Sequence, residues 1–160
     1  MHIALTLILA VLLTGCASSS KFDGLTESQK GDVAKADAAI QELAACAKTV
    51  QGNDAAFTQK CAKLLENRPL RAMFFRARAG LLQYDVTLWP TPNSVVSCHY
   101  KNNKGDDAKL AALKEGDWVS VSGFVSSYVL SERKSVNLHQ LGKSPFTYRI
   151  DFQPCKLSFD

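Results

Sequence analysis

The chain has 160 residues, 46% of them hydrophobic, with 19 Lys and Arg against 15 Asp and Glu and a formal net charge of +4. That length holds one modest domain with an appendage and leaves too little for two full domains. The charges lie beyond residue 16 and are scattered rather than massed, which excludes a polybasic tail and permits only weak attraction to anionic lipid, glycan or nucleic acid.

Residues 1–16, MHIALTLILAVLLTGC, form an apolar run too short to span a bilayer as a permanent helix, and they end in small residues. The run reads as an export signal over residues 1–15, with Cys16 and a Ser-rich tether following to residue 25. Its close, LTGC, resembles the lipobox of bacterial lipoproteins, in which the cysteine becomes the lipid-modified first residue of the mature chain. The resemblance implies lipid on Cys16 and a membrane partner through that anchor. Ala17 and Ser18 follow with no aspartate, which implies the periplasmic face of the outer membrane. Four cysteines then remain, Cys46, Cys61, Cys98 and Cys155, and an even number in an exported chain suggests two disulfides among three pairings.

Thr26 and Gln29 have capping-box spacing, and Val33, Ala36, Ile40, Leu43, Ala47 and Val50 recur at threes and fours, which predicts a helix stopped by Gly52 and Asn53. Asp54 caps a second helix whose apolar face is Phe57, Cys61, Leu64 and Leu65, until Arg68 and Pro69 interrupt it. So short a connection makes the two helices antiparallel, a hairpin over residues 26–67 in which Cys46 and Cys61 stand at comparable heights and can pair. The apolar stripe is expected to pack on the neighbouring domain, with a partner-binding seam as the other reading.

From residue 70 two periods overlap: Leu70, Met73, Phe74 and Ala77 have helical spacing, while Phe75, Ala77, Ala79 and Leu81 alternate with Arg76 and Arg78. Strand is the reading for residues 72–82. Strands at 84–89 and 95–100 follow around a turn at 90–93, then a polar loop, KNNKGDD, and a short helix bearing Leu110, Ala111 and Leu113. Gly116 ends that helix where a left-handed residue costs nothing. In the long strand 118–129, Val119, Val121 and Gly123 alternate with polar neighbours, and the glycine is placed to let a sheet curl closed. A charged turn at 132–134, a short strand at 136–139 and a last strand at 148–157 complete the chain.

Three strands, a helix, then a long strand and its return is the order of an OB fold, and VTLWPTPNSVVSCHY, AKLAALKEGDWVSVSGFV and IDFQPCKL resemble the bacterial OB domains of the tRNA-anticodon-binding-like group. The resemblance covers residues 70–160. It implies an α+β chain: an N-terminal helical hairpin, then a five- to six-stranded OB-fold β-barrel with one helix between strands three and four. Such a barrel lays its third strand beside its fifth, which sets Cys98 by Cys155. The usual OB surface would hold Tyr84, Trp89, His99, Tyr100, Lys101, Lys104, Arg133 and Lys134, and from these Trp89, Tyr100, Lys101 and Arg133 are the expected ligand-binding residues.

A nucleic-acid partner follows from the fold resemblance, but a lipoprotein outside the cytoplasm meets glycans, lipid headgroups and envelope proteins instead. Glu115, Asp117 and Asp151 have no matched partner, and no Ser/His/Asp or Cys/His arrangement survives once the cysteines pair, so no catalytic residue and no cofactor are expected. A metal site of Cys98, His99, His139 and Cys155 is the competing reading of the cysteines; it lacks paired ligand spacing, and no metal is expected. Two functions follow: a lipid-anchored, non-catalytic binding module, or a structural adapter that docks another envelope protein through the hairpin or the barrel edge.

Overall fold

The computed structural model describes residues 21–50, 53–80, 83–101, 107–130 and 148–159. Cys16, the export signal, Lys104, Arg133, Lys134 and the strand expected at 136–139 lie outside the described residues. Helix α1, Glu27–Val50, begins at the capping box: the Gln29 N–H donates to Thr26 Oγ1 at 3.2 Å and the Thr26 N–H to Gln29 Oε1 at 3.0 Å. Its buried face is Ala36, Ile40, Leu43 and Ala44.

Helix α2, Asp54–Lys60, is shorter than the sequence suggests, and Asn53, expected as a helix stop, is its N-cap, accepting from the Ala56 N–H at 2.9 Å. The chain then tightens into a 3₁₀ turn, Ala62–Leu65. Residues three apart eclipse in such a turn, which brings Ala62 and Leu65 together into the core, both at 0% exposure. Cys46 and Cys61 are bonded across this unit with Cα atoms 5.7 Å apart.

Five strands close into a ring in the order β1-β2-β3-β5-β4. They are β1 Leu70–Ala79, β2 Gln83–Thr91, β3 Ser94–Lys101, β4 Trp118–Leu130 and β5 Tyr148–Ser158, with helix α3, Asp107–Ala112, between β3 and β4. All neighbours are antiparallel except β3 and β5, which run parallel. Period-two alternation sends Val86, Leu88, Val96, Cys98, Val119, Val121, Val125, Ile150 and Phe152 inward, each at 1% exposure or less. Cys98 and Cys155 are bonded across the parallel pair, Cα atoms 5.5 Å apart and 57 residues apart in sequence. Helix α1 lies at the end of the ring where β1 and β5 begin, held by Asp32 facing Arg71 and by the Tyr148 hydroxyl donating to Gln41 Oε1 at 3.3 Å.

Gly116 takes the left-handed conformation expected of it, at φ +101, but does not end the helix: α3 stops at Ala112, four residues earlier, and the Gly116 N–H donates to Phe74 O at 2.9 Å. Gly123 is dictated by close approach: a Cβ there would stand 2.3 Å from the Pro154 carbonyl oxygen of β5. Gly123→Ala must push β5 from β4 and is expected to cost about 1–3 kcal/mol, read as a lower urea midpoint at unchanged slope.

Where α2 meets β4, the rings of Phe57, Tyr128 and Tyr148 stack, with centroids 6.4 and 6.3 Å apart. Burial, reinforced by Tyr148, pushes the Tyr128 hydroxyl up to about 12 from its ordinary 10.0. The folded chain therefore keeps a proton there that the unfolded chain releases between those two values, so this contribution to stability is intact below pH 10 and lost as pH rises through 12. Unfolding midpoints measured across that window should fall with pH, and Tyr128→Phe should flatten the fall.

Candidate functional site

The same alternation leaves an organised set of side chains on the outside of the ring. Register pairs Arg76 with Thr87, Thr87 with Ser97, and Ser97 with Asp151, a polar row across β1, β2, β3 and β5. One step along the sheet, Val95 faces Arg149 across the parallel pair. The register shift between Phe74 and Arg76 frees Phe75 from pairing, and its ring lies on that of Trp89, centroids 4.5 Å apart at 16°. Phe75, Trp89, Arg76, Arg149, Thr87, Ser97 and Val95 line an open hollow of about 230 Å³.

Three cationic side chains, Arg76, Arg149 and Lys21, gather here. Arg149 Nε stands 3.3 Å from Asp151 Oδ1, with its side chain 58% exposed, while Asp151 also accepts from the Ser127 hydroxyl. The Arg76 guanidinium lies 5.2 Å from the Phe75 ring, and Lys21 Nζ lies 4.5 Å from the Trp89 ring while pairing with Glu115. Among the described residues no carboxylate pairs with Arg76, Arg78 or Lys101. Farther along the same face Asp85 Oδ1 meets His99 Nδ1 at 2.8 Å, with Lys101 opposite Gln83.

No protein-family model, curated protein or solved structure matches the chain. Its own chemistry therefore decides what this face can hold. Two guanidinium groups around a pair of hydroxyls suit anionic oxygens, and a stacked aromatic pair suits the flat or C–H face of a ring.

The expected ligand residues divide. Trp89 and Lys101 stand on the outer face. Tyr100 does not: it is 4% exposed, shares its side of β3 with Val96 and Cys98, and packs in the core opposite Tyr84. Trp89 and Tyr100 thus point to opposite sides of the sheet, and their expected convergence is corrected by strand parity. Arg133 lies outside the described residues. The tether is also shorter than read, since residues 21–24 form a turn whose Lys21 is docked on the aromatic pair. Of the alternative metal set, Cys98 and Cys155 are bonded to each other and His99 faces away from them.

Sequence reasoning missed Phe75, Arg76, Thr87, Ser97 and Arg149. Parity within β2 and β3 points to Thr87 and Ser97, because each alternates with the buried Val86, Leu88, Val96 and Cys98. Phe75 depends on a local shift in register, and Arg149 on a parallel pairing between strands distant in sequence, neither of which leaves a mark in composition.

Proposed function

We propose that the protein is a lipid-anchored envelope lipoprotein, carried on Cys16 at the periplasmic face of the outer membrane, whose closed sheet is an OB fold acting as a non-catalytic binding module. The order of the strands, with α3 before β4 and β5 returning beside β3, supports the OB reading. One observation carries the function: the stacked Phe75–Trp89 pair lines one hollow with Arg76, Arg149, Thr87 and Ser97, on the face of strands two and three by which such folds bind. The proposed ligand is an anionic glycan or lipid headgroup, and the compartment disfavours nucleic acid. Against the hairpin half of the adapter reading, Ile40 and Leu43 of the helical stripe are at 0% exposure within the core, which favours the binding module.

Titration with a sulfated oligosaccharide, with anionic vesicles and with a single-stranded oligonucleotide separates the ligand classes. Trp89→Ala should weaken binding by about tenfold or more, given roughly 1–3 kcal/mol per stacked ring. Arg149→Ala should weaken it mainly at low salt, its effect fading as ionic strength rises. Unchanged affinity in both variants, with the fold intact, would remove this face from the account.

A further inference from the structure

Lys21 already occupies part of the outer face. Its Nζ lies 4.5 Å from the centroid of the Trp89 ring and 5.1 Å from that of Phe75, and it pairs with Glu115. Two rings and a carboxylate around one ammonium are the parts of a cation site, since the rings attract the charge through their quadrupoles and the carboxylate accepts its N–H. The site is built on fixed elements. Phe75 is turned out by the register shift in β1 and lies on Trp89 of β2, while the turn bearing Glu115 is pinned to β1 beside Phe75: the Gly116 N–H donates to Phe74 O at 2.9 Å, and the Phe74 N–H donates to Asp117 O at 2.7 Å. The occupant is held less firmly. The side chains of Lys21 and Glu115 are 46% and 45% exposed, and Lys21 stands in the turn at 21–24 ahead of α1, so another ammonium can replace it without opening the fold.

The neighbouring charges select the rest of the ligand. Arg76 lies 5.2 Å from the same Phe75 ring and, among the described residues, has no carboxylate partner, whereas Arg149 is paired with Asp151. With Lys21 displaced, one carboxylate and one guanidinium are left beside the aromatic pair. A bare amine leaves Arg76 unanswered, and a bare phosphate leaves Glu115 so; a group carrying both signs a short distance apart satisfies both. We propose that Phe75, Trp89, Glu115 and Arg76 bind a phosphoethanolamine group, its ammonium in the seat of Lys21 and its phosphate on Arg76, with Lys21 as the competing occupant from within the chain. The assignment rests on the binding-module reading for the face that is used, and it replaces a purely anionic ligand there by a zwitterionic one.

NMR of the Trp89 indole and the Arg76 guanidinium in the full folded chain reads the binding of O-phosphoethanolamine, with ethanolamine and inorganic phosphate as its two halves. Lys21→Ala should raise phosphoethanolamine affinity about five- to tenfold over the wild type, because an intramolecular ammonium no longer competes. In that variant phosphoethanolamine should bind about tenfold more tightly than either half, or better. Glu115→Gln added to it should weaken phosphoethanolamine about fivefold and leave inorganic phosphate unweakened, a split that a merely structural role of Glu115 would not give. Glycerophosphoethanolamine, the diester of a lipid headgroup, is compared with the free monoester, and the tighter of the two names the source. The proposal is overturned if Lys21→Ala binds phosphoethanolamine no better than the wild type, if either half binds as tightly as the whole, or if Glu115→Gln weakens phosphoethanolamine and phosphate alike. A sulfated oligosaccharide titrated in parallel keeps the two readings apart: its failure where phosphoethanolamine binds removes the anionic glycan alone, and its binding where phosphoethanolamine fails removes this assignment alone.

Discussion

Replacing Cys98 and Cys155 together by alanine should lower the unfolding free energy by about 4 kcal/mol, the chain-entropy value for a loop of their 57-residue separation. A small domain holds roughly 5–15 kcal/mol in all, so this variant should stand near the edge of folding. The position of the bond makes the effect structural as well as entropic. It ties the parallel pair, β3 and β5, whose joining completes the ring and which no short turn can connect. It also fixes Cys155 opposite Gly123, where β5 leaves no room for a Cβ on β4. The Cys46–Cys61 bond spans a separation of 15, and its removal should cost about 3 kcal/mol while leaving the ring closed. Urea unfolding of the two double variants beside the oxidised wild type measures both; a Cys98/Cys155 variant with an unchanged midpoint would contradict the role given to that bond.

Cys16→Ser should have an all-or-none effect on location. In the proposed lipoprotein, the thiol of Cys16 carries the lipid, and no helix among the described residues is long and apolar enough to cross a membrane. Two or more acyl chains give an anchor that a mildly basic surface cannot replace, because scattered exposed charges contribute little at physiological salt. The variant should leave the membrane fraction and take up no labelled fatty acid. Continued fractionation with the outer membrane, or continued acylation, would remove the anchor from the account.

Local signals in the sequence were legible wherever one residue's chemistry decides the outcome. Thr26 and Gln29 announced the start of α1, and the observed pair of hydrogen bonds is the one their spacing predicts. Alternation around Val86, Val96 and Val119 marked the strands, and Gly123 sits where β5 leaves no room for a side chain. Reading by residue type failed where parity decides. Tyr100 has the residue type of a binding aromatic, yet two residues from Cys98 on one strand it faces inward. Asn53 has two roles that its residue type does not separate: its backbone N–H donates to Val50 O at the end of α1, and its side-chain oxygen caps α2. The outer-face site was the least legible part, since Phe75 reaches Trp89 through a register shift and Arg149 reaches the hollow through a pairing of strands far apart in sequence.

Amide and side-chain NMR of the folded protein during titration with a sulfated oligosaccharide tests the central claim most directly. The predicted result is a saturable set of shifts centred on the Trp89 indole, the Arg76 and Arg149 guanidinium groups and the Ser97 and Thr87 amides, with the Tyr100 ring and the Ile40 and Leu43 methyls unmoved. Shifts absent at saturating ligand for the sulfated oligosaccharide and for anionic vesicles alike, or centred on the helices instead, would contradict it.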